Sequence, residues 1–211
     1  MDAEKFVLYA YTFPSRAERV LWTLRELGHP YELIRLDPYK GETRTAEFSR
    51  LNPSRKIPVL VHGDDVFTES LAIMEYLNEV SVDRPLVPKE AMAAYRYKKV
   101  VHYGLTEVES YLWVAEQSSR LKALYHWPDG SYESAIKQAT KNLSLVWPWI
   151  ENTSHIVGEE FSLADIYYYN LVTWAKRQGI GHSAAVGDYL LRLEGREAFP
   201  GGMLPVKAVK E

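Results

Sequence analysis

The stretch Ser81-Val82-Asp83-Arg84-Pro85-Leu86-Val87-Pro88 constrains this chain more than any other, because the hydrophobic periodicity changes character across it. Its two prolines and polar residues interrupt any regular element. Before it, short β-rich runs alternate with helical ones; after it, the apolar patterns have helical spacing. A boundary near residue 84 therefore separates a mixed α/β half, residues 1–80, from an all-helical half, residues 89–211, with 81–88 as the linker. A chain of 211 residues can give each half its own core.

In the first half, Phe6 to Tyr11 predicts a strand, and Val20, Leu21, Leu24 and Leu27 place a helix over Arg16 to Leu27, stopped by Gly28. Tyr31 to Leu36 alternates as a second strand. Lys40 to Leu51 is a polar loop with a short helical tract. Val59 to Val61 and Val66 to Thr68 flank a turn at His62-Gly63-Asp64-Asp65, and Leu71 to Val80 is helical. The order is β-α-β, then β-β-α. In the second half, Lys89 to Lys122 reads as a long helix bent near Gly104, and Ser131 to Glu151 as another that Pro148 kinks or shortens. Phe161-Ser162-Leu163-Ala164-Asp165 opens a third: Ser162 caps the first amides, Asp165 reaches back, and Phe161 staples onto Ile166. A folding role for Asp165 is favoured over a ligand role, with a cost of about 1 kcal/mol for losing either cap residue.

Two motifs in the first half carry chemistry. In Asn52-Pro53-Ser54-Arg55-Lys56-Ile57-Pro58-Val59-Leu60, the Ile57-Pro58 amide can be cis at modest cost, leaving the Ile57 main chain facing outward to pair with a peptide. Glu69-Ser70 opens the next helix, where unsatisfied amides and a hydroxyl suit a carboxylate and the acidic side chain suits an ammonium. Together they describe a pocket for a small zwitterionic peptide. The pair resembles the glutathione site of the cytosolic glutathione transferases, a resemblance that covers nearly the whole chain. It implies a thioredoxin-like N-terminal domain followed by an all-helical domain. It also implies that Ile57 and Pro58 pair with the cysteinyl unit of glutathione, and that Glu69 and Ser70 hold its γ-glutamyl end.

The chain has no cysteine, so a glutathione mechanism must use the thiol of the co-substrate. A thiol of pKa about 8.5 is only a few per cent ionised at pH 7. Lowering that value by about 2 units takes ~2.7 kcal/mol, which a hydroxyl donor and a helix N-terminus can supply. The donor belongs where the first strand meets the first helix, a junction that offers Tyr11, Thr12 and Ser15. Ser15 is preferred, in a register similar to the catalytic serine of theta-like and delta-like classes. If Ser15 only caps the helix, Thr12 takes the role. Tyr11 is expected to be buried or turned toward the second substrate. The Ser-Ser-Cys signature of zeta-type isomerases is absent, and the lack of cysteine excludes an omega-like thiol mechanism. Lys40, Arg55 and Lys56, with Arg16 as a further candidate, are the cations expected at the glycyl carboxylate. Lys40-Gly41-Glu42 resembles a Lys-Gly-Glu loop found in several transferase classes. The electrophile is expected against Phe13 and the first long helix of the second half, through Tyr103, Thr106 and Glu107, with Tyr111 and Trp113 beyond.

The expected reaction is attack of glutathione thiolate on a small hydrophobic electrophile. Glutathione-dependent peroxidase or isomerase action, or glutathione binding without turnover, are the alternatives. The resemblance further implies a homodimer and a role in detoxification. A formal net charge of −3 gives no basic footprint for nucleic acid or anionic membrane. The histidines show no paired ligand spacing, so no metal is expected. Without a leader-like start or a long apolar run, the chain reads as soluble and cytoplasmic.

Overall fold

A computed structural model describes residues 5–11, 14–81, 83 and 85–201. Among these, the chain divides into two compact units: the residues up to Leu86 together with Arg196–Gly201, and Val87–Gly195.

The first unit runs β1 (Phe6–Ala10), α1 (Ala17–Glu26), β2 (Tyr31–Arg35), two short 3₁₀ turns, α2 (Ala46–Leu51), β3 (Val59–His62), β4 (Asp65–Phe67) and α3 (Ser70–Glu79). The sheet order is β2-β1-β3-β4. β1 and β2 are parallel, with Leu8 opposite Leu33; β3 is antiparallel to both β1 and β4, with Leu60 opposite Leu8 and Phe67. This is the expected β-α-β, β-β-α order, in a four-stranded mixed sheet. Leu8 and Ala10 on one face of β1 are fully buried, as are Val20, Leu21 and Leu24 of α1 and Ile73, Met74 and Leu77 of α3. α1 packs on α3 as well as on β1. Each of the Leu, Val, Ile and Met side chains among them contributes roughly 1.5–3 kcal/mol by leaving water. Tyr9, on the other face of β1, meets Phe48 of α2 at 5.9 Å between ring centroids.

Arg196–Gly201 folds onto α1. Arg196 makes two bonds to the Glu26 carboxylate at 2.6 and 2.9 Å, Phe199 stands edge-on to Trp22, and Trp22 Nε1 donates to the same carboxylate at 2.9 Å.

The second unit is helical, with α4 (Ala91–Tyr103), α5 (Ser110–Ser118), α6 (Ser131–Ser144), α7 (Trp147–Glu151), α8 (Leu163–Arg177) and α9 (Ala184–Glu194). The expected bend near Gly104 is a π-helical stretch, Gly104–Glu109, that joins α4 to α5 without ending the helix. Pro148 separates α7 from α6, taking the first turn of α7, where its missing N–H has no partner to lose. α8 is apolar nearly all round and is the central helix, with Leu163, Ile166, Tyr167, Tyr168 and Leu171 fully buried. Asp165 is fully buried at its head and accepts from the main-chain N–H groups of Ser162 (2.8 Å) and Ile156 (2.9 Å), and from the hydroxyls of Ser162 (3.0 Å) and Tyr189 (2.9 Å). The carboxylate thus joins the helix start to the preceding loop and to α9. Burial, then the neighbouring Asp165 charge, pushes the Tyr189 phenol well above its ordinary value. Among the described residues, no helix is long and apolar enough to cross a membrane.

Candidate functional site

Strand direction gathers most of the sequence-predicted residues at one end of the sheet. β1 and β2 finish at that end, antiparallel β3 begins there, and β4 finishes there before α3. Tyr11, the Lys40 turn, Ile57-Pro58 and Glu69-Ser70 therefore share it, together with Ser15 at the head of α1. Tyr11 is buried and its ring lies 5.9 Å from that of Tyr39, beside Lys40. Thr12 and Phe13 lie outside the described residues.

The loop before β3 is shaped by a side chain that the sequence reasoning did not single out. Asn52 is buried; its amide nitrogen donates to the Lys56 carbonyl at 2.8 Å, and its amide oxygen accepts from the N–H and hydroxyl of Ser54 at 3.0 and 2.8 Å. This Asx-type closure had a signal in Asn52-Pro53. Arg55 takes φ 57° within the loop, and the Arg55 and Lys56 side chains are exposed. The Ile57-Pro58 bond is cis. The β1–β3 ladder ends at Tyr9 opposite Val59, so the Ile57 main chain lies past the last paired residue.

Glu69 is exposed and non-glycine, yet has φ 67° and ψ 104°. Such a conformation costs on the order of 1–3 kcal/mol and persists where surrounding structure imposes it, often at a ligand clamp. Ser70 follows as the first residue of the ten-residue α3 and is buried. Behind it lies Arg19 of α1, 1% exposed, whose Nη1 donates to the Ser70 hydroxyl oxygen at 3.4 Å. Sequence reasoning missed Arg19 as well; its only signal was a charge flanked by the apolar positions of α1.

Ser15 is half-buried, and its hydroxyl oxygen accepts from the Ala17 N–H at 3.3 Å. That is a capping geometry, in which the hydroxyl oxygen is the acceptor. Lys40 is exposed and ends a 3₁₀ turn whose first amides are held by the Asp37 carboxylate, at 2.9 Å for Tyr39 and 3.4 Å for Lys40. Glu42 closes the same loop by accepting from the Asp37 N–H.

In the second unit, Tyr103, Thr106 and Glu107 stand at the junction of α4 and the π stretch. Tyr103 Oη donates to the Asn142 carbonyl at 3.2 Å, and Asn142 Nδ2 reaches the Glu107 carbonyl and, at 3.4 Å, its carboxylate. Asn142 of α6 thus ties two of the three together. Burial, then the Glu107 charge, raises the Tyr103 phenol above its ordinary value. The Thr106 hydroxyl is exposed and donates to the His102 carbonyl at 3.1 Å. Among the described residues, no group of three His, Cys, Asp or Glu side chains is placed to hold a metal ion.

Two family models match this chain: glutathione S-transferase, N-terminal domain, over residues 4–79, and glutathione S-transferase, C-terminal domain, over residues 85–200. The chain belongs to the glutathione S-transferase family. It is 30% identical over 172 residues to "Glutathione S-transferase Z1" of Arabidopsis thaliana, covering 78% of this chain and 74% of the relative. It is 39% identical over 94 residues to "Probable maleylacetoacetate isomerase" of Vibrio cholerae, covering 44% of each. Some other relatives are matched over less of their length, down to 40%. Among solved structures, a glutathione transferase homologue from Sulfitobacter with bound glutathione superposes with a TM-score of 0.78 at 22% identity, over 95% of this chain and 99% of that one. That likeness is one of fold, and it covers both halves of the transferase architecture.

Proposed function

We propose that this chain is a glutathione transferase that binds glutathione at the sheet end described above and activates its thiol for attack on a small hydrophobic electrophile. The observation that carries the proposal is Glu69, held at φ 67° immediately before the buried Ser70 at the head of α3. A ligand with both a carboxylate and an ammonium, as the γ-glutamyl unit has, suits that pair. On this reading residues 1–80 bind glutathione: Ile57 and Pro58 face its cysteinyl unit, and Lys40, Arg55 and Lys56 are the cations for its glycyl carboxylate. The thiolate donor is Ser15 or Thr12, with Tyr11 beside them. Phe13, Tyr103, Thr106 and Glu107 are assigned to the electrophile, the last three from the helical residues 89–211. A cytoplasmic homodimer acting in detoxification completes the proposal.

Calorimetry with glutathione, then steady-state assays with haloaromatic, enone and hydroperoxide substrates, test it. Binding, a rise in thiolate ultraviolet absorbance and turnover are expected. Binding without either the absorbance or turnover leaves a glutathione-binding protein that is not an enzyme, and no binding removes the site altogether. A glutathione-dependent isomerase is the second reading, favoured by the similarity to a protein named as a probable maleylacetoacetate isomerase. Cis-trans isomerisation of a cis-enedione acid faster than any conjugation would select it.

A further inference from the structure

We propose that Arg19 is a positioning residue for the ligand carboxylate at Ser70, an inference that rests on the glutathione reading above. A guanidinium has only donors and stays charged at any ordinary pH. In the 3.4 Å contact between Arg19 Nη1 and Ser70 Oγ the serine is therefore the acceptor. A bond accepted from beneath turns the hydroxyl hydrogen away from α1. The usual alternative for a serine on a helix is to donate to the carbonyl four residues back, as Ser118 and Ser119 at the end of α5 do in this chain at 2.7 and 2.6 Å. Ser70 is the first residue of its helix and has no helical carbonyl behind it. Although buried, its hydroxyl donates to no described residue.

The result is a serine preset as a donor, next to helix amides that also donate, over a buried cation that adds to the positive pole of a ten-residue helix. All three favour an anion. The ammonium half of the ligand is left to Glu69. Arg19 thus acts through Ser70 on one chemical group, the α-carboxylate of the γ-glutamyl unit, without touching it.

The test compares two ligands by calorimetry: glutathione, and the analogue in which 4-aminobutyrate replaces the γ-glutamyl residue and removes only that carboxylate. The wild-type chain is expected to prefer glutathione by about tenfold or more, the size of a hydrogen bond to a charged group. In Arg19→Gln and in Ser70→Ala the preference falls toward parity, and combining the two changes adds little. A folded Arg19→Gln that weakens both ligands alike, keeping the preference, overturns the proposal, because that is how a merely structural residue behaves. Retention of the preference by Ser70→Ala overturns it too. If Arg19→Gln does not fold, Arg19→Lys takes its place: a reduced preference supports the proposal and an unchanged one overturns it. A wild-type chain that binds both ligands equally defeats the role of Arg19 alone, whereas one that binds no glutathione defeats the site reading and this inference with it.

Discussion

Glu69 holds a backbone conformation that a side chain with a Cβ adopts at a cost, and α3 starts immediately after it. Glycine meets that conformation without the steric penalty. Glu69→Gly is therefore expected to keep or raise stability, by up to about 1 kcal/mol, while raising the dissociation constant for glutathione. Denaturant unfolding and calorimetry on one sample check both, and a stability loss without an affinity loss refutes the assignment. The choice of thiolate donor is a second local question. If Ser15 is the donor, Ser15→Ala abolishes turnover and Thr12→Val spares it; the reverse pattern, in steady-state assays, moves the role to Thr12. Ile57-Pro58 and Glu69-Ser70 were legible in the sequence because backbone chemistry at a proline and at a helix start follows from local order. Arg19 and Asn52 were not, because their parts depend on burial and on partners that packing supplies.

Gly104 sets how closely α8 approaches the α4–α5 junction. A Cβ built there lies 2.6 Å from Tyr167 Cε1 and 3.0 Å from Tyr168 Oη. Neither ring is free to yield: both are fully buried, Tyr167 Oη donates to Glu109 at 2.7 Å, and Tyr168 Oη donates to the Val100 carbonyl at 2.8 Å. Gly104→Ala should cost about 1–3 kcal/mol as overpacking, although alanine is the better helix former, and a urea midpoint will read it. The head of α8 gives a graded pair. Ser162→Ala should cost about 1 kcal/mol. Asp165→Ala strands buried donors from three separate elements and should cost roughly 3 kcal/mol or more, so equal midpoints for the two variants would contradict the bonding described. The capping pattern was legible; the bonds from Ile156 and Tyr189 were not, since both partners lie outside the motif. α9 went unpredicted because Gly187 and Asp188 interrupt its apolar spacing, although Ser183 caps it with a 3.3 Å bond from the Val186 N–H. The π stretch was legible only as a bend, since one glycine does not say which hydrogen-bond pattern follows.

The division into a mixed half and a helical half follows from periodicity alone, whereas the return of Arg196–Gly201 to the first unit does not. That return depends on Arg196 with Glu26 and Phe199 with Trp22, pairs about 170 residues apart in sequence. The first unit also carries a group that makes its stability depend on pH. The His29 ring lies edge-on to Phe6, and its Nε2 is 2.6 Å from the Ser81 hydroxyl. Because Ser81 donates its hydrogen to the Leu77 carbonyl at 2.7 Å, the imidazole nitrogen is the donor to Ser81. Burial is the main reason that the His29 pKa falls below its ordinary value; the Leu77 carbonyl opposes the shift and the nearby His62 adds to it. The native state therefore prefers the neutral ring, and the unfolded chain takes up the proton first as pH falls. The contribution is fully present above the unfolded value of about 6.5 and is lost as pH drops through it toward the lower native value. Thermal unfolding between pH 7.5 and pH 5 should show a falling Tm in the wild-type chain. His29→Gln, which keeps a donor for Ser81 and removes the titration, should have a lower Tm at the top of that range and a shallower slope through it. A slope equal to that of the wild type would place the pH sensitivity elsewhere in the chain.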